Sequence, residues 1–330
     1  MARADLLKKL FSSYVNEDKD LFLKTAHEII NDERKKNHSI LADDLEMVLN
    51  GPKRFFRRSV STFSSTIPTT DRNERLVEVI YPDKYFEDVT LPLGTIKKLE
   101  ETIRQFQNWD ILVSNGVSPA NKLLFYGPPG CGKTLCANII AAEAGLPLMY
   151  VRYDAVVSSY LGETASNLKT VFDLAKNDSF VILFDEFDAI GRTRNDSTEH
   201  GEIKRVVNTF LQQIDSFKGR SIIIAATNFE QSLDYAIWRR FDDTIRFDLP
   251  SNEEKIKAFA CRMKPFHGPA HALQTFLPNT ENFSYADIEN VCKTIMRECI
   301  LSGKRSYSKK DIENAVLKQK ELVALRKTQY

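Results

Sequence analysis

The pattern of apolar and polar residues divides the chain into a helical start, an alternating middle and a helical end. In the first fifty residues, apolar positions recur at intervals of three and four, which is the spacing of one helical face. Three such stripes follow one another, at Leu6, Leu7, Leu10, Phe11 and Tyr14, at Phe22, Ala26, Ile29 and Ile30, and at Leu41, Leu45, Val48 and Leu49. Because Gly51-Pro52 ends the third stripe, we predict an N-terminal helical domain over residues 1–50.

Short, dense apolar runs replace the helical stripes in the middle of the chain. The runs predicted to form strands are Lys122–Tyr126, Leu148–Val151, Val181–Phe184, Ser221–Ala226 and Thr244–Phe247. Helical patterns such as Leu135–Ala144 and Thr164–Lys176 separate them. Strands that alternate with helices indicate a parallel sheet with helices on both faces. We therefore predict an α/β fold, with residues 79–250 as the large domain.

The last eighty residues return to a helical pattern with clear helix starts. A serine stands three residues before an acidic residue, as in a capping box, at Ser251–Glu254, Ser284–Asp287 and Ser308–Asp311. The second of these helices carries an apolar stripe that includes Cys292 and Cys299, so we predict both thiols in the core. Residues 251–330 are assigned to a small helical lid domain.

Between the N-terminal helices and the α/β pattern, residues 51–78 are predicted to form a linker. The segment Lys53–Arg58 is basic and contains Phe55 and Phe56, and the residues after it are rich in Ser and Thr. Two phenylalanines between basic residues can stack on single-stranded nucleic acid or contact a membrane. They can equally dock on a neighbouring domain from a solvated linker. The sequence leaves both possibilities open.

Composition restricts the class of protein without selecting a function. The 330 residues are 42% apolar and 28% charged, with a formal net charge of +1, so no global field favours nucleic acid. The five cysteines are scattered, without a C-x-x-C pair, which favours a reducing compartment. The first residues lack the apolar core of a signal peptide, and no apolar run is long enough to span a bilayer. We expect a cytoplasmic protein.

A phosphate-binding loop follows the first buried strand. Its sequence is Gly127-Pro128-Pro129-Gly130-Cys131-Gly132-Lys133-Thr134, and Leu135 continues into a predicted helix. Glycines let successive backbone N–H groups turn toward phosphates, and the helix dipole adds to this attraction. We expect Lys133 to reach the β- and γ-phosphates and the Thr134 hydroxyl to bind Mg²⁺. The pattern with these flanks predicts binding of ATP and Mg²⁺.

Polar residues end two further strands of the predicted sheet. Asp185 and Glu186 follow Val181–Phe184, and Asn228 follows the run at 221–226. In a parallel sheet the carboxyl ends of the strands form the ligand-binding edge. Asp185 is therefore predicted to hold the nucleotide's Mg²⁺, either directly or through one of its bound waters, Glu186 to activate water, and Asn228 to sense the γ-phosphate. Taken alone, each residue would be an ordinary turn residue; the phosphate loop makes the catalytic reading preferable.

In order and spacing these motifs resemble the AAA ATPase family over roughly residues 80–320. The resemblance implies that Asp88 and Val89, within Tyr85–Val89, lie beside the adenine. It also implies that Arg239 and Arg240 reach the γ-phosphate held by a neighbouring subunit, where a guanidinium stabilises phosphoryl charge. The two arginines are adjacent, unlike the commoner R-P-G-R spacing, and either can be the residue that acts in trans. A surface pair in local salt bridges is the alternative.

Three other segments extend the resemblance. Tyr160, Leu161 and Gly162 match the family's first pore loop, which grips an extended polypeptide inside a hexamer; a tyrosine in the protein core is the alternative. Asp215-Ser216-Phe217 stands where relatives carry D-G-F. Phe283–Asp287 matches F-S-G-A-D, a segment near the nucleotide, with Tyr285 in place of glycine.

The resemblance implies an ATP hydrolase that forms a homo-oligomeric ring and remodels or unfolds protein substrates. The N-terminal helices resemble those of bacterial AAA proteins encoded beside a subtilisin-like protease, which suggests such a protease as partner. A nucleic-acid-linked ATPase, either a loader or a helicase-like motor, is the second hypothesis, opposed by the neutral charge and the Tyr160 loop. A nucleotide-gated assembly scaffold is the third, opposed by the presence of Glu186, Asn228 and the arginine pair.

Overall fold

A computed structural model describes seven stretches of the chain. They are residues 4–15, 18–35, 75–156, 163–187, 200–229, 235–269 and 272–327. The third N-terminal stripe, the basic and aromatic segment, and the Tyr160-Leu161-Gly162 loop lie outside these stretches.

Two helices form the described N-terminal part, which belongs to a unit numbered 1–66. They are α1 (Ala4–Val15) and α2 (Lys19–Lys35), and they pack against each other. The second predicted stripe accounts for this pairing, because its Ala26, Ile29 and Ile30 are buried, whereas Phe11 of the first stripe is exposed. Asp18 accepts a hydrogen bond from the Leu21 amide and caps the start of α2. The first two predicted stripes are confirmed as helices.

A six-stranded sheet forms the centre of the second unit. Its strands are β1 (Val77–Ile80), β2 (Lys122–Tyr126), β3 (Leu148–Val151), β4 (Val181–Phe184), β5 (Ile222–Thr227) and β6 (Asp243–Arg246), in the spatial order β1-β3-β4-β5-β2-β6. All neighbours are parallel except β1, which pairs antiparallel with β3 at the edge. The parallel sheet is confirmed. The pattern did not predict β1, since four residues at an edge carry too short an alternation to stand out.

Helices cover both faces of this sheet. They are α3 (Leu93–Gln107), α4 (Trp109–Ser114), α5 (Lys133–Ala144), α6 (Tyr153–Val156), α7 (Glu163–Asn177), α8 (His200–Ser216) and α9 (Tyr235–Trp238). Alternate residues of β4 separate the two faces. Val181 and Leu183 join the core beneath α3 and α5, whereas the Phe184 ring lies 4.9 Å from Phe210 of α8 and 5.6 Å from Phe172 of α7. Burying each such ring contributes roughly 1.5–3 kcal/mol.

A helical lid follows the sheet and has its own hydrophobic core. It contains α10 (Asn252–Met263), a 3-10 helix (Gln274–Thr280), α11 (Tyr285–Leu301) and α12 (Lys309–Lys327). All three predicted capping boxes are present, at Ser251, Ser284 and Ser308. Cys292 and Cys299 are buried in the lid core, as predicted. Within the described stretches no helix is long and apolar enough to cross a membrane.

Candidate functional site

The loop between β2 and α5 has a backbone that only glycine adopts readily. Gly127, Gly130 and Gly132 have φ angles of 134°, 75° and 95°. A Cβ atom on Gly127 would lie 2.0 Å from the carbonyl oxygen of Phe247, the residue directly after β6, so this backbone closes one side of the loop. The loop then opens directly into the first turn of α5, whose N–H groups have no partners within the helix. The result is a backbone cradle for an anion at a helix N-terminus.

Lys133 supplies a buried positive charge inside this cradle. Its side chain is buried, and Nζ donates hydrogen bonds to the carbonyl oxygens of Gly127 (2.7 Å) and Pro128 (2.9 Å). Burying an ammonium group is costly unless it has partners, and these carbonyls fix it within the loop. A phosphate chain lying along the cradle would therefore meet a preorganised cation.

Thr134 and Asp185 lie face to face at the mouth of the loop. The Thr134 hydroxyl donates a hydrogen bond to Asp185 Oδ2 at 2.5 Å, and Asp185 Oδ1 accepts one from the Glu186 amide at 2.9 Å. The two residues come from different elements, the start of α5 and the end of β4. A hydroxyl and a carboxylate are the hard oxygen ligands that Mg²⁺ prefers beside substrate phosphates. These residues fit a Mg²⁺–nucleotide complex.

Glu186 is held in an unusual backbone conformation beside this pair. Its φ angle is 53°, and among the described residues it is the one non-glycine residue with a positive φ. The next residue explains why: Phe187 is buried, and its amide donates to the Ala226 carbonyl at 2.8 Å. The turn therefore leaves Glu186 exposed. Left-handed backbone costs a non-glycine residue about 1–2 kcal/mol, and such strain is concentrated at functional sites.

A cavity of about 380 Å³ joins these groups. Its lining contains nine of the residues predicted for the site: Pro129, Gly130, Gly132, Lys133, Thr134, Leu135, Asp185, Glu186 and Asn228. The described lining does not include Asp88 or Val89. The Asp88 carboxylate instead accepts a hydrogen bond from the Tyr85 amide at 3.0 Å, and Val89 packs against the core of the sheet. Gly127, Pro128 and Cys131 belong to the same loop but are not part of the described lining.

The lid supplies three lining residues that were left out of the predicted site. They are Tyr285, Ala286 and Glu289 of α11. The match of Phe283–Asp287 to a segment near the nucleotide was the signal that could have added the first two. Glu289 lies one turn further along α11, and only the helical repeat could have indicated it. Burial, together with the nearby Glu254 carboxylate, raises the pKa of the Tyr285 hydroxyl, so this group stays protonated at neutral pH.

The first turn of α11 contacts the phosphate-binding loop directly. The Ala286 amide donates a hydrogen bond to the Gly130 carbonyl at 3.1 Å. A Cβ atom on Gly130 would lie 2.6 Å from Ser284 Oγ and 3.0 Å from Ala286 Cβ. Close approach of the lid backbone is thus retained even though Tyr285 replaces the family's usual glycine. The approach is made by the residues on either side of Tyr285.

The arginine pair lies on a turn that does not contribute to the described lining of the cavity. Arg240 forms an ion pair with Asp215 of the same subunit, whereas Arg239 is exposed. Both ends of the turn are attached to β2. The Trp238 ring packs edge-on against Tyr126 at 4.9 Å, and Asp242 Oδ2 accepts hydrogen bonds from the amides of Asn121 and Lys122, each at 3.0 Å. The structure therefore does not bring the arginines to the cavity of their own subunit.

The two cysteines near the loop are buried and unreactive in character. Burial raises the pKa of the Cys131 thiol to about 11 and that of the Cys136 thiol to about 12. Thiolate is the nucleophilic form of cysteine, so neither thiol supplies a nucleophile at neutral pH. The chemistry of this site lies in its oxygen and nitrogen groups.

A parallel sheet with a glycine cradle, a buried lysine and a carboxylate pair at its strand ends defines a P-loop nucleotide-binding protein. A sequence model described as "ATPase family associated with various cellular activities (AAA)" matches residues 123–249. The chain is 40% identical to an uncharacterised AAA family ATPase of Sinorhizobium fredii, over 96% of this chain and 95% of that one. The chain belongs to the AAA ATPase family, binds nucleotide and hydrolyses ATP.

Two further relatives match about three quarters of this chain. A proteasome-activating nucleotidase of Methanococcus vannielii is 33% identical over 72% of this chain and 60% of its own length. An ATP-dependent zinc metalloprotease of Sphaerobacter thermophilus is 32% identical over 74% of this chain and 51% of its own length. The chain therefore spans between half and two thirds of these two relatives.

Proposed function

We propose that this ATPase assembles into a hexameric ring that uses ATP hydrolysis to unfold or remodel protein substrates by threading them through a central pore. The observation that carries the ring is the position of Arg239. This exposed cation lies on a turn fixed at both ends to β2, outside the cavity of its own subunit. An arginine held there can complete the site of a neighbour.

The main polar groups of the cavity have separate roles in this function. Lys133 and the loop amides bind the phosphates, and Thr134 with Asp185 hold Mg²⁺. The Glu186 carboxylate accepts a proton from the water that Asn228 orients, while the water oxygen bonds to the γ-phosphorus. The bond from that phosphorus to the bridging oxygen breaks, and ADP and phosphate leave. When bound between Thr134 and Asp185, Mg²⁺ would supply positive charge next to the phosphate oxygens.

Protein is the proposed substrate because of the relatives. One name describes a nucleotidase that activates a proteasome, and the other describes a protease that depends on ATP. The Tyr160-Leu161-Gly162 sequence fits a loop that grips a polypeptide, since an aromatic ring can wedge between the side chains of an extended chain. The chain contains no Ser-His-Asp motif set, so we extend the proposal to a separate, subtilisin-like protease as partner.

Tyr160 provides the test for threading. Tyr160→Ala should keep assembly and basal ATPase activity and lose work on an unfolded protein, while Tyr160→Phe should restore that work because the ring is retained. A parallel fall of ATPase activity and melting temperature in Tyr160→Ala would instead show a core residue and remove the basis for threading. Stimulation of the ATPase by DNA and not by unfolded protein would favour a nucleic-acid-linked motor.

Mixing of inactive variants provides the test for the ring. Subunits with Arg239→Ala and subunits with Glu186→Gln are each expected to be inactive alone. Mixed rings should regain activity, because some interfaces pair an intact arginine with an intact glutamate. As a control, subunits carrying both substitutions should not rescue Arg239→Ala, since no arginine is then supplied. An enzyme that is fully active as a monomer would contradict the ring.

Co-expression tests the proposed protease. A complex that requires residues 1–50 and ATP is the expected result when a subtilisin-like protease from the same organism is co-expressed with this chain. Equal binding after removal of those residues would exclude the N-terminal helices as the recruiting surface.

A further inference from the structure

The carboxylate of Asp287 is buried in the lid and accepts four hydrogen bonds. Its oxygen Oδ2 accepts from the Ser284 amide at 2.9 Å and from the Ser284 hydroxyl at 2.8 Å. Its oxygen Oδ1 accepts from Gln319 Nε2 at 2.7 Å and from Arg326 Nη1 at 3.0 Å. The first two donors belong to the capping box of α11, and the other two come from α12, the last helix of the lid.

A capping box does not require the donors from α12. In the box at the start of α12 itself, Asp311 makes the same local contacts, with the Ser308 amide and hydroxyl each 2.7 Å from Oδ2, and these contacts are exposed. Asp287 differs because its side chain is only 4% exposed, while that of Arg326 is 59% exposed. A buried carboxylate must be paired to be stable as an anion. Gln319 and Arg326 supply that pairing from thirty or more positions away.

The same capping box holds the lid against the phosphate-binding loop. Ser284 Oγ, which donates to Asp287, is the atom that a Cβ on Gly130 would meet at 2.6 Å. The Ala286 amide, one residue before Asp287, donates to the Gly130 carbonyl. A continuous series of contacts therefore runs from the exposed end of α12, through Asp287 and the first turn of α11, to the loop that binds phosphate.

We propose that Gln319 and Arg326 are positioning residues for the nucleotide, and that α12 sets the affinity for ATP by holding Asp287 and thereby the first turn of α11 against Gly130. Neither residue lines the cavity, so they act through Asp287. The proposal rests on the nucleotide site and does not depend on threading or on a ring.

Arg326→Gln is the main test, in the full chain, with a fluorescent N-methylanthraniloyl derivative of ATP as the binding probe. Loss of a charged donor to a buried carboxylate should raise the Kd for the probe and the KM for ATP by roughly three- to tenfold. The kcat at saturating ATP should stay within about twofold, because Thr134, Asp185 and Glu186 are untouched. Arg326→Lys should recover most of the affinity. Gln319→Met, which keeps the side-chain volume, should raise the Kd and the KM as Arg326→Gln does.

Lys320→Gln is the matched control. It removes one positive charge from the same helix, and Lys320 Nζ bonds to Asn279 Oδ1 at 2.9 Å rather than to Asp287. This variant should leave Kd and KM unchanged. When Arg326→Gln and Gln319→Met are combined, their effects on the Kd should be less than additive, since both residues act through one oxygen of Asp287.

Three outcomes would overturn the proposal. In the first, Arg326→Gln lowers the melting temperature with unchanged Kd, which would mark a purely structural contact. In the second, Lys320→Gln weakens binding as much as Arg326→Gln, which would mark a general charge effect. In the third, the unaltered protein fails to bind the probe, which would remove the nucleotide site and this inference together. Failure of threading or of ring assembly alone would leave the proposal standing.

Discussion

Two buried lysines, one beside the sheet and one in the lid, make nearly the same contacts. Lys133 Nζ donates to the carbonyls of Gly127 and Pro128, and Lys255 Nζ donates to those of Thr280 at 2.7 Å and Glu281 at 3.3 Å. Only the first lies in the lining of the nucleotide cavity. The second closes the end of the 3-10 helix, where carbonyls otherwise lack donors.

This difference separates the two regions more generally. Beside the sheet, the polar groups of the site lie on strand ends and on the phosphate-binding loop, and they line a shared cavity. In the lid, the charged groups of Lys255 and Asp287 are buried, and they form hydrogen bonds with the backbone and side chains of the lid itself. Burial of a charge therefore does not mark a ligand site in this protein. A buried charge marks a ligand site here only where a cavity lies beside it.

The largest expected effect comes from the strand-end group with the strained backbone. Glu186→Gln should lower ATP turnover by about two orders of magnitude or more, the usual cost of losing a general base. Nucleotide binding should persist, because Lys133 and the loop are intact. Steady-state turnover and probe titration on the same preparation check both statements. Turnover close to that of the unaltered protein would show that the strand ends are not the catalytic part of the molecule.

The two lysines can be compared by the same substitution. Lys133→Met should raise the Kd for ATP by more than about tenfold, since a cation is lost at the phosphates. Lys255→Met should leave that Kd unchanged and lower the free energy of unfolding by about 1–3 kcal/mol, because two buried carbonyls lose their donor. Denaturant unfolding gives the free energy of unfolding of each variant, and titration with the fluorescent probe gives its Kd. The comparison would fail if Lys255→Met weakened nucleotide binding as strongly as Lys133→Met.

Two glycines of the loop separate backbone strain from contact with the lid. Gly130→Ala and Gly132→Ala each place a side chain at positive φ, which costs about 1–2 kcal/mol. Only at Gly130 would the new methyl group meet the lid; at Gly132 the nearest atom, Leu91 Cδ2, is 3.9 Å away. Without nucleotide, Gly130→Ala should therefore melt several degrees below Gly132→Ala. Equal melting temperatures would show that the lid is not held against the loop in solution.

The smallest effect concerns cysteine reactivity in the two regions. Cys261 of the lid is exposed, whereas Cys131 and Cys136 are buried beside the sheet. With its pKa raised to about 11, only about one Cys131 thiol in a thousand is thiolate at pH 8. Iodoacetamide should therefore modify Cys261 first, with little loss of ATPase activity. Rapid inactivation of a Cys261→Ser variant under the same conditions would contradict the burial of Cys131.

Local patterns predicted the sheet side of the site well. The bounds of β2, β3 and β4 agree with the predicted runs, and β5 and β6 each differ by one residue. The phosphate-binding loop, the carboxylates of Asp185 and Glu186, and Asn228 line one cavity, because parallel strands end at a common edge of the sheet. The lid residues Tyr285, Ala286 and Glu289 were left out because their approach to the loop depends on packing between distant segments. Asp88 and Val89 show the converse: a family position does not ensure a place in the described lining.

The turn that carries Arg239 has a consequence for how subunits would be related to one another. It is attached to both ends of β2, through Trp238 to Tyr126 and through Asp242 to the amides of Asn121 and Lys122. The same five-residue strand leads directly into the phosphate-binding loop. One short strand therefore contacts the turn that carries Arg239 and leads into the loop where a subunit holds its own nucleotide. In the proposed ring, a change that displaces β2 would disturb a subunit's own site and, at the same time, the arginine that it offers to its neighbour.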